Sequence, residues 1–342
     1  MKNLYNKALL YQSLYLTKWF LAASSLLFGL IVYSSMKTDI FLLQNKISYL
    51  DSSDILISYS SFGIYELFIL GGAYMISTGI NRRNSLTFLL SEPYTKEEIK
   101  RNELQVLFIS LACILFVFLY VSMIIFFNNK NIISICTNYY NSLFIVFFRL
   151  VVVGSVFILY LSIMDMLFSN KYLTAVCMVA LPLFVIYMVS IYEGFYMNLC
   201  NTVSYSKLNY FINKTLELLF SDNIELSSLS EYKYSIVFII ICIFIMIILN
   251  KYINKKITIN DMNKLFSFKI VEKTTYFSIA FAIISTVEFL LLSKINYLEY
   301  DKSIGEFNNF ISITILLVLI FINCIISYVI SNKLRKRINK IF

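Results

Sequence analysis

Apolar residues run through the chain in long blocks separated by short polar stretches. Blocks near the roughly 20 residues that an α-helix needs to cross a bilayer fall at 19–36, 57–80, 104–127, 143–168, 172–192, 234–250, 275–293 and 307–331. This pattern predicts an all-α polytopic membrane protein with about eight transmembrane helices. Pro182 falls inside the fifth block and predicts a kink, tolerated where neighbouring helices satisfy the freed carbonyl. Ahead of the first block, Leu4, Ala8, Tyr11, Tyr15 and Trp19 recur every three or four residues along one helical face. With Lys2, Lys7 and Lys18 nearby, this reads as an amphipathic N-terminal elbow helix in the membrane interface. Packing on the protein's own cytoplasmic side is the alternative. The first block lacks a small-residue cleavage site and so reads as a retained helix.

The longest polar interruption in the first half is 81–103, and it is punctuated. Pro93 fixes its own φ and pushes Glu92 out of the α region, which sets a turn. Thr95 stands three residues before Glu98, the spacing of a capping box. Glu97 and Glu98 lie in the first turn and Lys100 and Arg101 in the second, the order that the helix dipole favours. The spacing predicts a short capped helix lying between two spans, over 93–103. A membrane protein has little reason to specify such a helix unless something docks on it.

Composition adds the setting. The chain is 59% hydrophobic and 14% charged, with mean hydropathy +0.76 and two prolines in 342 residues; soluble domains carry about a quarter charged residues. The net charge of +9 acquires meaning from its placement. With the N-terminus inside, 20 of the 29 Lys and Arg fall on inner segments, 8 on outer ones and Arg149 within a span, whereas 11 of 20 acidic residues fall outside. That asymmetry predicts cytoplasmic termini. The positive charge then reads as a topogenic and lipid-headgroup signal, with no nucleic-acid partner. The basic run Lys333 to Lys340 is the same device, or else a docking surface for an acidic partner. The chain has no His, which excludes imidazole bases and His-ligated metals. Its six Cys are scattered as packing residues, and a disulfide between Cys136 and Cys200, both in segments placed outside, has no support from spacing.

The run Leu89-Leu90-Ser91-Glu92-Pro93-Tyr94-Thr95-Lys96-Glu97-Glu98-Ile99-Lys100-Arg101, placed between spans two and three on the inner side, resembles the coupling-helix region of ABC-2-type transporter permeases of Gram-positive bacteria. The resemblance covers residues 1 to about 250 as a six-helix core; 251–342 adds a basic linker, two further spans and the basic tail. It departs from the family's pattern in placing Lys100 and Arg101 directly after Ile99, with Glu103 following. The resemblance implies a cell-membrane exporter subunit in which Pro93, Tyr94, Thr95, Lys96, Glu97, Glu98, Ile99, Lys100 and Arg101 receive an ATPase subunit. It implies a second permease copy or a related permease as further partner, and amphipathic peptides as cargo. The external segment 193–233 carries Leu208, Phe211, Ile212, Leu216, Leu219 and Phe220 largely on one face. A helix there is either re-entrant, as the resemblance implies, or lies on the outer headgroups.

Charges within spans are functional candidates because their burial in lipid costs at least about 2.5–3.5 kcal/mol. Glu66 and Arg149 fall at similar expected depths, so they read as an intramembrane ion pair or as part of a substrate path. Glu288 has no partner legible in sequence. Gly72 and Gly79 share a helix face and, with Gly71, predict close helix packing. No phosphate-binding G-x-x-x-x-G-K-[ST] loop occurs, so ATP and magnesium are expected on the partner ATPase and no cofactor on this chain. No polar cluster points to an enzyme. A non-transporting membrane protein for self-immunity or assembly is the other reading.

Overall fold

In the computed structural model, residues 7–48, 57, 59–77, 95–134, 139–168, 171–200, 207–220, 232–256, 268–299 and 309–338 are described. Among them every regular element is helical: α1 (Lys7–Ser48), α2 (Ser60–Ser77), α3 (Lys96–Asn128), the single turn α4 (Lys130–Ile133), α5 (Tyr139–Leu167), α6 (Lys171–Cys200), α7 (Lys207–Phe220), α8 (Lys233–Lys256), α9 (Lys269–Glu299) and α10 (Asn309–Ile338). Six of these, α1, α3, α5, α6, α8 and α9, are long and apolar enough to cross a membrane. The chain is by length and composition a multi-pass membrane protein. Shorter apolar stretches occupy Ser61–Ser77 of α2 and Leu317–Lys333 of α10.

Two expectations are corrected by helix continuity. The elbow and the first span are one helix of 42 residues, about 63 Å long. Its inward stripe is Leu9, Thr17 and Leu21, continued by Phe28, Val32, Met36 and Ile40, whereas Tyr11, Tyr15 and Trp19 are exposed. No Gly or Pro occurs between Lys7 and Phe28, so nothing breaks the helix at an interface. The second correction concerns the capped helix. Thr95 caps it as expected, but it opens the 33-residue α3 and does not stand apart. Pro93 and Tyr94 lie outside the described residues. At the far end, the backbone N–H of Asn129 donates to the Ile125 carbonyl at 3.1 Å and its side-chain amide to the same oxygen at 3.0 Å, which stops α3 at the expected turn.

Packing groups the chain into two units that interleave in sequence: Met1–Met166 with Phe211–Lys256, and Leu167–Tyr210 with Ile257–Phe342. In the first, α1, α2 and α3 pack on one another. Phe28 and Val32 of α1, Phe62 and Leu70 of α2, Ile114 and Phe118 of α3 and Leu150 and Ile158 of α5 are fully enclosed. Phe62 meets Phe118 edge-on at 6.0 Å. Gly72 bears out close packing, because a Cβ there would collide with the Phe20 ring of α1. Gly71 meets nothing, and Gly79 lies outside the described residues.

Helix α7 packs on protein. Leu218 joins Ile145, Tyr232 and Ile239 in one cluster bordered by Val152, Val156 and Ile243. Thr215 Oγ1 donates to Ser235 Oγ at 3.1 Å. Val152 lies thirteen residues into α5 and Ile243 ten into α8, so this cluster reaches about 15–20 Å along both helices.

The second unit is built from α6, α9 and α10 in mutual contact. Helix α6 continues through Pro182. Tyr187 Oη and Thr286 Oγ1 lie 2.6 Å apart, and Tyr192 Oη and Ser285 Oγ 3.1 Å apart, which ties α6 to α9.

Candidate functional site

The first turns of α3 carry the candidate site. Thr95 is extended, with φ −83° and ψ 150°, so its side chain can turn back over the helix start. The Glu98 backbone N–H donates to Thr95 Oγ1 at 3.3 Å, and the Thr95 N–H donates to Glu98 Oε2 at 2.8 Å. Two backbone donors that no helical carbonyl can reach are thereby satisfied. The cap fixes which way each later side chain points.

The seven described candidates then divide by face. Thr95, Glu97 and Arg101 are exposed, Glu98 is half-buried, and Ile99 and Lys100 are buried. Nothing is described of the Lys96 side chain. Lys100 Nζ donates to Glu103 Oε2 at 2.8 Å and forms a short ion pair with Asp165 of α5. The other Asp165 oxygen accepts from the Tyr74 hydroxyl of α2. Two residues on, Asn102 Nδ2 donates to Ser13 Oγ of α1 at 3.0 Å. Charges that each meet opposite charge or a hydroxyl tie α3, α5 and α2 at one end of the unit, and the neutral Asn102–Ser13 bond adds α1. A buried ion pair holds only with such satisfaction, because desolvation costs several kcal/mol per ion.

Asp165 was not anticipated as a partner. It is the one carboxylate in the apolar block 143–168, a signal available from the same rule that singled out Glu66. Tyr74 and Ser13 carried no comparable signal, since hydroxyls are common on helices.

Glu66 and Arg149 do not form the expected ion pair. The Arg149 guanidinium lies over the Tyr59 ring, 4.1 Å from its centroid, and Nη2 donates to the Glu217 carbonyl of α7 at 3.1 Å. The Glu66 carboxyl is fully enclosed against Gly154 and has no hydrogen-bond partner among the described residues. Gly154 and Arg149 are five residues apart on α5, about 7.5 Å of rise and 140° of turn, so the helix carries the two groups to different places. A Cβ on Gly154 would collide with Glu66 Oε1 and crowd Leu111.

Beyond Arg149, α7 presents a second polar group. Lys214 pairs with Glu217 at 3.2 Å and lies over the Tyr232 ring, and the Tyr232 hydroxyl donates to Glu217 Oε2 at 3.3 Å. Burial, then the Glu217 charge, pushes the Tyr232 phenol above its usual range. In the second unit Glu288, without a partner in sequence, accepts from Asn323 Nδ2 at 2.6 Å. No cluster of three or more His, Cys, Asp or Glu occurs among the described residues. Cys113, Cys177, Cys242 and Cys324 are free thiols; Cys136 and the Cys200 side chain lie outside the described residues.

Compared with protein-family profiles, curated proteins and solved structures, the chain matches none.

Proposed function

We propose that this chain is the membrane-spanning permease subunit of an ATP-driven exporter of the ABC-2 type. Its α2 and α10 segments complete eight spans, and both termini lie in the cytoplasm of a cell whose plasma membrane holds the protein. A separate ATPase subunit, carrying ATP and magnesium, presses on the start of α3. A second permease copy or a related permease completes the path, and amphipathic peptides are the cargo class.

One observation carries this reading: the start of α3 has two unlike faces. Thr95, Glu97 and Arg101 stand exposed on one side, while Ile99 and Lys100 lock the other to the bundle. A partner can grip the outer face, and the locked face passes its displacement to α5 and α2 as a rigid-body bias. A helix enclosed on all sides would offer no grip, and one lying free on the surface would transmit nothing.

The test follows the faces. The chain is co-expressed with each ATP-binding-cassette subunit of its host that lacks spans of its own, and the Glu97→Ala/Arg101→Ala double variant is compared with the parent. Copurification and stimulated ATP hydrolysis are expected to fall about tenfold or more, a loss of about 1.4 kcal/mol in binding, with thermal stability unchanged. ATPase binding equal to the parent's removes this reading. Retained insertion and folding without any associated ATPase favours the self-immunity or assembly role.

A further inference from the structure

The second unit encloses oxygens that its own donors do not satisfy. On α10, Asn323 and Ser327 are one helical turn apart and both fully enclosed. Asn323 spends its amide N–H on Glu288 Oε2 of α9, at 2.6 Å. Its Oδ1, and the hydroxyl of Ser327, have no hydrogen-bond partner among the described residues. Hydroxyls on membrane helices ordinarily turn back to their own backbone. Thr274, Thr275 and Thr286 of α9 and Ser331 of α10 do so, but Ser327 does not. Two enclosed polar groups left in this state weaken the fold, a penalty that apolar residues would avoid.

Charge points the same way. Glu288 lies well inside α9, and a carboxylate at that depth needs a counter-charge. The described basic side chains of this unit are Lys269, Lys273 and Lys333. Lys269 and Lys273 are at least fifteen residues from Glu288 along α9, and Lys333 is ten from Asn323 along α10, which puts them about 15 Å or more away along the helix axes. Among the described residues Glu288 faces an amide, that of Asn323.

We infer that Glu288, Asn323 and Ser327 form a binding site for a small, hard, monovalent cation of the sodium class. Carboxylate, amide and hydroxyl oxygens with no nitrogen or thiolate among them select a hard ion. A single carboxylate supplies one negative charge, short of the several that calcium sites gather. Ser285, enclosed one turn before Glu288 and hydrogen-bonded to the Tyr192 hydroxyl, backs the site with two further oxygens. Ser331 extends the Asn323–Ser327 stripe by another turn and lines a cavity of about 210 Å³ with Thr274, Phe277 and Tyr328. Lys273 also lines it and repels a divalent ion twice as strongly as a monovalent one. Ser331, one turn from Ser327, sets that cavity next to the stripe.

The test uses the full chain in lipid nanodiscs, unfolded by heat in sodium chloride or in choline chloride at equal ionic strength. Sodium is expected to raise Tm, with the rise growing as the logarithm of its concentration, as linkage requires of a ligand bound only to the folded state. Ser327→Ala should move the sodium midpoint about tenfold, the loss of about 1.4 kcal/mol, and Glu288→Gln should abolish the shift. Should Glu288→Gln fail to fold, Ser327→Ala decides by itself, because the loss of one hydroxyl leaves the helix pair assembled. Equal Tm in the two salts across the titration overturns the site. So does a sodium shift of the same size and midpoint in Ser327→Ala.

Discussion

Two carboxylates of the first unit have opposite surroundings. Asp165, near the end of α5, meets Lys100 and the Tyr74 hydroxyl, and Lys100 also holds Glu103. Glu66, eight residues before Tyr74 on α2, is enclosed with no hydrogen-bond partner among the described residues, though Arg149 belongs to the same unit. The expected depths favoured the Glu66–Arg149 pair, but depth is only one coordinate. A helix turns 100° per residue, and two groups at one level meet only if both helices face them inward together. At the Asp165 end three helices do so; at the Glu66 level Arg149 is directed to Tyr59 and α7.

The sharpest way to break this contrast is Asp165→Ala. It removes the carboxylate that faces buried Lys100 and should cost about 3–5 kcal/mol, read as a fall in the denaturant midpoint of the purified protein. The double variant Lys100→Met/Asp165→Leu should recover most of that loss. If it is as unstable as the single variant, the charges are not what holds α2, α3 and α5 together.

Next in size is Gly154→Ala, which sets a methyl against the Glu66 carboxyl and Leu111. Overpacking of this kind costs about 1–3 kcal/mol. Adding Glu66→Ala makes room, so the double variant should be less unstable than the two single losses summed. Strict additivity would mean that Glu66 and Gly154 do not touch.

Arg149→Lys comes third. It keeps the charge and gives up the planar stack on Tyr59 and the directed N–H to the Glu217 carbonyl. A loss of about 1–2 kcal/mol is expected, together with faster hydrogen exchange in α7. An unchanged α7 would show that Leu218 and its apolar neighbours hold that helix unaided.

The smallest effect belongs to the cap. Thr95→Ala should cost about 1 kcal/mol, with exchange protection lost in the first turn of α3 and kept from Val106 onward. Loss of protection reaching Ile114 would mean that the cap, and not the Lys100–Asp165 pair, sets where α3 begins.

Some of this was legible from local pattern. Thr95 and Glu98 form a reciprocal cap because three-residue spacing alone brings their side chains to each other's backbone. Gly72 lets α1 approach because a missing Cβ has the same consequence in any helix pair. That the chain is helical from Lys7 to Lys18 was legible too, but its inward side was not. Tyr11, Tyr15 and Trp19 form the more apolar-looking face and are exposed, since lipid accepts aromatic rings as readily as a protein core does. In water their burial would have been forced; in a bilayer it is optional.

Hydropathy along the chain was sufficient for a helical multi-pass protein, because backbone groups in lipid must be satisfied within their own segment. Residue type and three-residue spacing were equally sufficient for the cap on α3. Which polar groups meet was decided only by tertiary structure. Lys100 and Asp165 are 65 residues apart and Asn323 and Glu288 are 35 apart, and both pairs form through the rotation of one helix against another. No single helix carries that angle in its own sequence; the packing of several apolar faces sets it jointly.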